Sequence, residues 1–149
     1  MDNKEKWMRL ALLEAQKAFD DGEVPVGAVI VRNEELVAVG RNRREKSKNA
    51  LWHAETDAIN NACTALHGWR LWNCELYVTL EPCPMCAGAI LNAHIPNVFF
   101  GAYDFKNGSC GTITNLFEMP YNFKPEYEGG ILEEDCAGIL KEFFKKLRN

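Results

Sequence analysis

A histidine and a carboxylate in His53-Ala54-Glu55, followed downstream by Pro82-Cys83-Pro84-Met85-Cys86, constrain this chain more than any other feature. Neutral imidazole and thiolate are donors that Zn²⁺ prefers, and neither segment alone supplies three of them, so a working fold has to bring the two together. Three protein donors leave the fourth tetrahedral position open to water, as a catalytic site requires. A purely structural site would want a fourth Cys or His at similar spacing. The remaining Cys63, Cys74, Cys110, Cys136, His67 and His94 form no second pair of that kind. We therefore expect one Zn²⁺ per chain on His53, Cys83 and Cys86, with Glu55 beside it as the residue that moves protons. If Glu55 were only a first-turn carboxylate favoured by the helix dipole, its loss would cost stability and leave chemistry alone.

Hydrophobic spacing places both segments at helix starts. Trp7, Leu10, Ala11, Ala15, Ala18 and Phe19 recur with helical period, so Lys4 to Asp20 is expected to be an amphipathic helix stopped at Asp21-Gly22. Val24 to Val31 and Leu36 to Val39 are β-rich runs around Arg32-Asn33-Glu34-Glu35, the pattern of an antiparallel hairpin, with Arg41 to Lys48 after it as a charged surface loop. Ala54 to Ala65 then has helical composition, Leu76 to Leu80 is a strand, and Pro84 to Ala93 is a helix with Cys83 and Cys86 at its first turn. At a helix start the dipole favours thiolate, as does a metal. Asn97 to Gly101 reads as a further strand and Glu133 to Leu147 as a closing helix. The alternation implies a three-layer α/β/α sandwich with a mixed central sheet of about five strands, one domain over residues 1–149.

Composition narrows the setting. The opening Met1-Asp2-Asn3-Lys4-Glu5-Lys6 is charged and no long apolar run follows, which points away from membrane spans and export. Six cysteines without a signal segment suit a reducing cytoplasm, with Cys63, Cys74, Cys110 and Cys136 as small buried hydrophobes. The net charge of −4 gives the whole chain no basic footprint for nucleic acid, so any such contact has to be local.

The His-x-Glu and Pro-Cys-x-x-Cys pair is the known signature of zinc nucleobase deaminases. Together with Gly22-Glu23-Val24-Pro25-Val26-Gly27-Ala28-Val29-Ile30, the run Leu76 to Ile90, Phe100-Gly101-Ala102 and Gly130 to Cys136, it makes the chain resemble the tRNA adenosine deaminase branch of the cytidine deaminase superfamily. The resemblance implies a hydrolytic release of ammonia from an adenine extruded from a tRNA anticodon loop, performed by a homodimer to whose interface an apolar helix such as Pro84 to Ala93 is suited. It also implies a pocket. Asn42 would hydrogen-bond the nucleotide, Val24 and Leu80 would wall the base, the backbone at Ala54 and Cys83 would touch it, and Asp104 would lie beside flanking nucleotides. Each has a plainer reading, Asn42 and Asp104 as turn residues and Val24 and Leu80 as core. Phe143 and Phe144, among Lys141, Lys145 and Lys146, would provide stacking and cations, with one of the two suited to the core. Leu51-Trp52 stands where that branch has small residues, and His94 where arginine is common. Trp52 could cover a smaller pocket, so a deaminase of a free base or nucleoside such as guanine, cytosine or adenosine remains the alternative.

Overall fold

A computed structural model describes residues 3–149; Met1 and Asp2, part of the charged opening segment, lie outside the described residues. Five strands form one sheet in the order β2-β1-β3-β4-β5, namely β1 Gly27–Arg32, β2 Glu35–Arg41, β3 Cys74–Leu80, β4 Asn97–Ala102 and β5 Glu126–Glu128. The first three pair antiparallel and the last three parallel, which makes the sheet mixed. Helices α1 Asn3–Asp20 and α5 Glu133–Arg148 cover one face; α3 Ala54–Leu66 and α4 Pro84–Ala93 cover the other. This is the α/β/α sandwich that the alternation implied.

Strand alternation sorts the core into two layers, because successive side chains leave a strand on opposite faces. Ala28, Ile30, Leu76 and Val78 pack with Ala54, Ala58, Ala87 and Ile90 of α3 and α4. Val29, Val31 and Tyr77 point the other way, onto Trp7, Met8 and Ala11 of α1. Three of the four remaining cysteines, Cys74, Cys110 and Cys136, are buried as expected, while Cys63 is only half-buried.

Several boundaries differ from the sequence pattern. The first strand starts at Gly27 rather than Val24, because Pro25 has no N–H to donate and the Val26 N–H turns back to the Val24 carbonyl. Arg41 ends β2, and Arg44–Ser47 wind into a single helical turn, α2, within what the charges suggested was plain loop. The strand β5 is short and polar, and carried no pattern.

Candidate active site

The helix α3 begins where His53 leaves an extended backbone, φ −90° and ψ 167°. Its N–H donates to Thr56 Oγ1 at 3.0 Å and its carbonyl accepts the Asp57 N–H at 2.9 Å, so the first turn is closed around the histidine. Gly40 of β2 lies against the backbone of Ala54 and Ala58, leaving no room for a Cβ; this close approach sets α3 on the sheet. Cys83 caps α4 in the same extended way, φ −76° and ψ 176°, followed by Pro84, whose missing N–H costs nothing in a first turn. Cys86 follows on that first turn, fully buried. Two helix starts thus meet at one point.

His53 Nδ1 lies 3.6 Å from Cys83 Sγ and 3.5 Å from Cys86 Sγ. Tetrahedral zinc with Zn–S near 2.3 Å and Zn–N near 2.05 Å puts nitrogen and sulfur about 3.6 Å apart, so the donor set and its spacing fit that ion. Among the described residues these three form the one group of such donors within 4.8 Å of one another. The Cys86 hydrogen bond, with His53 beside it, holds the Cys83 thiol down to about 4, while the same bond and burial push Cys86 up. The Cys83 bond also raises His53. Glu55 is buried at the same point, and desolvation raises its carboxyl to about 7 despite hydrogen bonds that favour the anion.

A cavity of ≈ 640 Å³ opens above this floor. His53, Glu55 and Cys83 line it together with Asn42, Val24, Ala54, Leu80, Asp104 and Phe144, so the pocket residues expected from the sequence, Trp52 excepted, come together. Several serve two ends. The Asn42 side chain donates to the Val24 carbonyl at 3.1 Å and accepts the Arg44 N–H at 3.2 Å, and Asp104 Oδ1 accepts the N–H groups of Lys106 and Asn107. Both shape turns and both face the cavity. Val24 and Leu80 likewise line it while packing on the core edge. Phe143 is the core member of its pair, edge-on to Phe19, and Phe144 stays 41% exposed at the rim.

Trp52 lines a different hollow. Its indole N–H donates to Asp57 Oδ1 at 3.0 Å, which draws the ring into a neighbouring hollow lined by Asn49, Leu51, Thr56 and Asn60 and away from the cavity of Glu55. Asp57 is buried and also accepts from Arg43 Nε and the Arg41 N–H, so it anchors this side of the site. Sequence reasoning passed over Asp57, and over Phe105 and Lys106, which line the cavity together with Tyr103. Phe105 is 80% exposed. A signal for it existed, a large apolar residue in a turn-forming stretch, Asp104 to Gly108.

Comparison with known proteins agrees with the geometry. The family model described as MafB19-like deaminase matches residues 2–148. The chain is 48% identical to the tRNA-specific adenosine deaminase of Bacillus subtilis strain 168, over 99% of its own length and 92% of that protein's. The chain belongs to the tRNA-specific adenosine deaminase family. It is thus a hydrolytic deaminase. The enzyme of the same name from Aquifex aeolicus strain VF5 is 45% identical over 98% of this chain and 97% of its own. A structure from work on A-to-I editing by tRNA:A34 deaminases at the wobble position superposes with a TM-score of 0.87 and 40% identity, covering 90% of this chain and 98% of that one. A guanine deaminase from Bacillus subtilis stands further off, with a TM-score of 0.66 and 31% identity over 97% of this chain and 93% of its own. No helix among the described residues is long and apolar enough to cross a membrane.

Proposed function

We propose that this deaminase acts on adenosine in a tRNA anticodon loop, converting the wobble base to inosine, with zinc on His53, Cys83 and Cys86. The observation that carries the reading is the coincidence of the metal-donor triangle and buried Glu55 with a rim that keeps Phe105 and Phe144 exposed beside Lys106 and Lys141. Exposed aromatics next to cations suit stacked bases and phosphates, which a free base lacks. The gradient from 48% identity with a tRNA-specific enzyme to 31% with a guanine deaminase supports the same choice.

Zinc held by these donors supplies Lewis acidity that lets water act as a nucleophile near neutral pH. Glu55, desolvated beside these donors, takes one proton from the attacking water and passes it to a ring nitrogen; it then takes the proton of the newly added hydroxyl and passes it to the departing amine, so that a carbonyl and ammonia result. Val24 and Leu80 press on the faces of the base, the Asn42 amide and the backbone at Ala54 and Cys83 orient it, and Asp104 sits beside the neighbouring nucleotides. A second copy of the chain completes the enzyme in this reading. It is supported by the hollow of ≈ 650 Å³ that Met85, Ala89 and Leu91 of α4 form with Tyr121 and Phe123 on the outer surface. The free cysteines and a tRNA substrate fit the cytoplasm.

The test is to incubate the zinc-loaded enzyme with an anticodon stem-loop carrying adenosine at the wobble position and, separately, with free bases and nucleosides, measuring inosine and ammonia. Inosine in the RNA alone is expected. Ammonia only from a small molecule would overturn the reading.

A further inference from the structure

Outside the metal-donor cluster, where Glu55 lies, two carboxylates among the described residues are almost wholly buried without a cation. Glu23 is 1% exposed and Glu81 2%, and no salt bridge to either occurs among the described residues. Lone buried carboxylates are costly, and they persist where several donors converge on them. Glu81 Oε1 accepts the Asp104 N–H at 3.1 Å and the Thr112 hydroxyl at 2.5 Å; Oε2 accepts the N–H groups of Cys110 at 3.0 Å and Thr112 at 3.1 Å. Gly108 sits so close to this carboxylate that a Cβ there would collide with it. Glu23 accepts the Glu45 N–H at 3.0 Å on one oxygen and the Lys46 N–H at 2.7 Å on the other.

The destinations of these bonds matter more than their number. One set gathers residues 104–112, which carry the cavity-lining Asp104, Phe105 and Lys106; the other ties down residues 45–46, next to the cavity-lining Asn42 and Arg44. Both segments lack regular strand pairing, apart from the single turn α2 and one isolated bridge, and the carboxylates give their amides the partners that a sheet or a long helix would otherwise supply.

We propose that Glu23 and Glu81 are positioning residues that hold the two loop walls of the substrate cavity in their receptive shape, each acting through the loop it binds and neither touching the reacting atoms. The proposal rests on the tRNA reading for its assay and on the hydrogen bonds alone for its physics.

Glu23→Gln and Glu81→Gln keep size and shape but turn one acceptor oxygen into a donor facing an N–H. In the zinc-loaded enzyme, kcat/KM for the stem-loop should fall about 10- to 100-fold, chiefly through KM, as expected when positioning is lost away from the chemistry. Metal content should stay at one per chain. Amide exchange should rise at Asp104, Cys110 and Thr112 in Glu81→Gln and at Glu45 and Lys46 in Glu23→Gln, each set without the other. Glu23 lies far in sequence from the metal donors, so its variant decides the matter if Glu81→Gln loses zinc. Thr112→Val, which removes only the hydroxyl, should cost about threefold. A kcat/KM within twofold of wild type despite open amides would overturn the proposal, as would exchange rising evenly across β3 and α4. A wild-type enzyme inactive on RNA but active on a free base would overturn the substrate reading instead, and the exchange pattern would still decide the clamps.

Discussion

His53, Cys83 and Cys86 form the floor of the cavity from two helix starts that the core on one face of the sheet holds in place. The walls, residues 42–48 and 103–112, are held by hydrogen bonds to Asp57, Glu23 and Glu81. The floor is fixed by packing and needs its ligand atoms within tenths of an ångström; the walls are fixed by buried charge and can be loosened without unpacking the core. Chemistry and recognition are therefore mechanically separable in this enzyme, and substitutions should sort into two groups.

The largest effect should come from the floor. Glu55→Ala removes a group used as both base and acid, so kcat for inosine formation should drop by about 10⁴-fold while zinc, measured by metal analysis, stays bound. If zinc left with the activity, the separation between proton carrier and ligands would be broken. Chelation of the ion should lower the unfolding midpoint, since a ligand that binds only the native state stabilises it; at about a hundredfold excess over Kd the loss is about 2.7 kcal/mol. Cys86→Ser should already behave as chelated enzyme in a thermal melt, with no further response to the chelator.

Glu55 gives the floor a pH signature when the metal is absent. Its folded value of about 7 lies above the ordinary 4.5, so its protonated form favours the folded state, and this contribution is complete below pH 4.5 and lost as pH rises through 7. Metal-free Glu55→Gln should gain on the metal-free parent across that window, reaching a plateau of about 3 kcal/mol or less in denaturant unfolding at pH 8. Equal stabilities at pH 5 and pH 8 would show that the carboxylate is solvated.

The walls should answer more gently, and in KM. Phe144→Ala removes an exposed ring from the rim and should raise KM for the stem-loop about tenfold at unchanged kcat. The smallest change is expected for Trp52→Phe, which gives up the indole bond to Asp57: about 1 kcal/mol of stability in a melt and a kcat/KM within twofold of wild type. A larger kinetic effect there would bring Trp52 back to the substrate and erase the boundary between the two hollows.

The floor was readable in the sequence because metal ligation imposes residue identity: only His, Cys and a nearby carboxylate will serve, and their helix-start positions follow from Pro84 and the apolar runs behind them. The layers were readable for a similar reason, since Ala28 to Val31 and Leu76 to Leu80 announce buried strands. The walls were not. Glu81 looks like any acidic residue before a proline, and its partners at Cys110 and Thr112 are backbone groups whose identity leaves no trace in composition. Strand β5 is Glu126-Tyr127-Glu128, recruited by parallel pairing with β4 and not by an apolar pattern of its own. Trp52 was placed by its bulk, when the direction of its ring depends on where Asp57 falls one turn later.

The distance along the chain between His53 and Cys83, 30 residues, sets when the ion can be captured. A zinc finger closes a short hook around its metal and folds because of it. Here α3 must dock and β3 must lie beside β1 for the pair Cys83 and Cys86 to meet His53. With zinc held as proposed, all three donors would grip it only on a nearly finished fold, and the fraction of chains carrying the ion after synthesis should report how many of them completed their sheet.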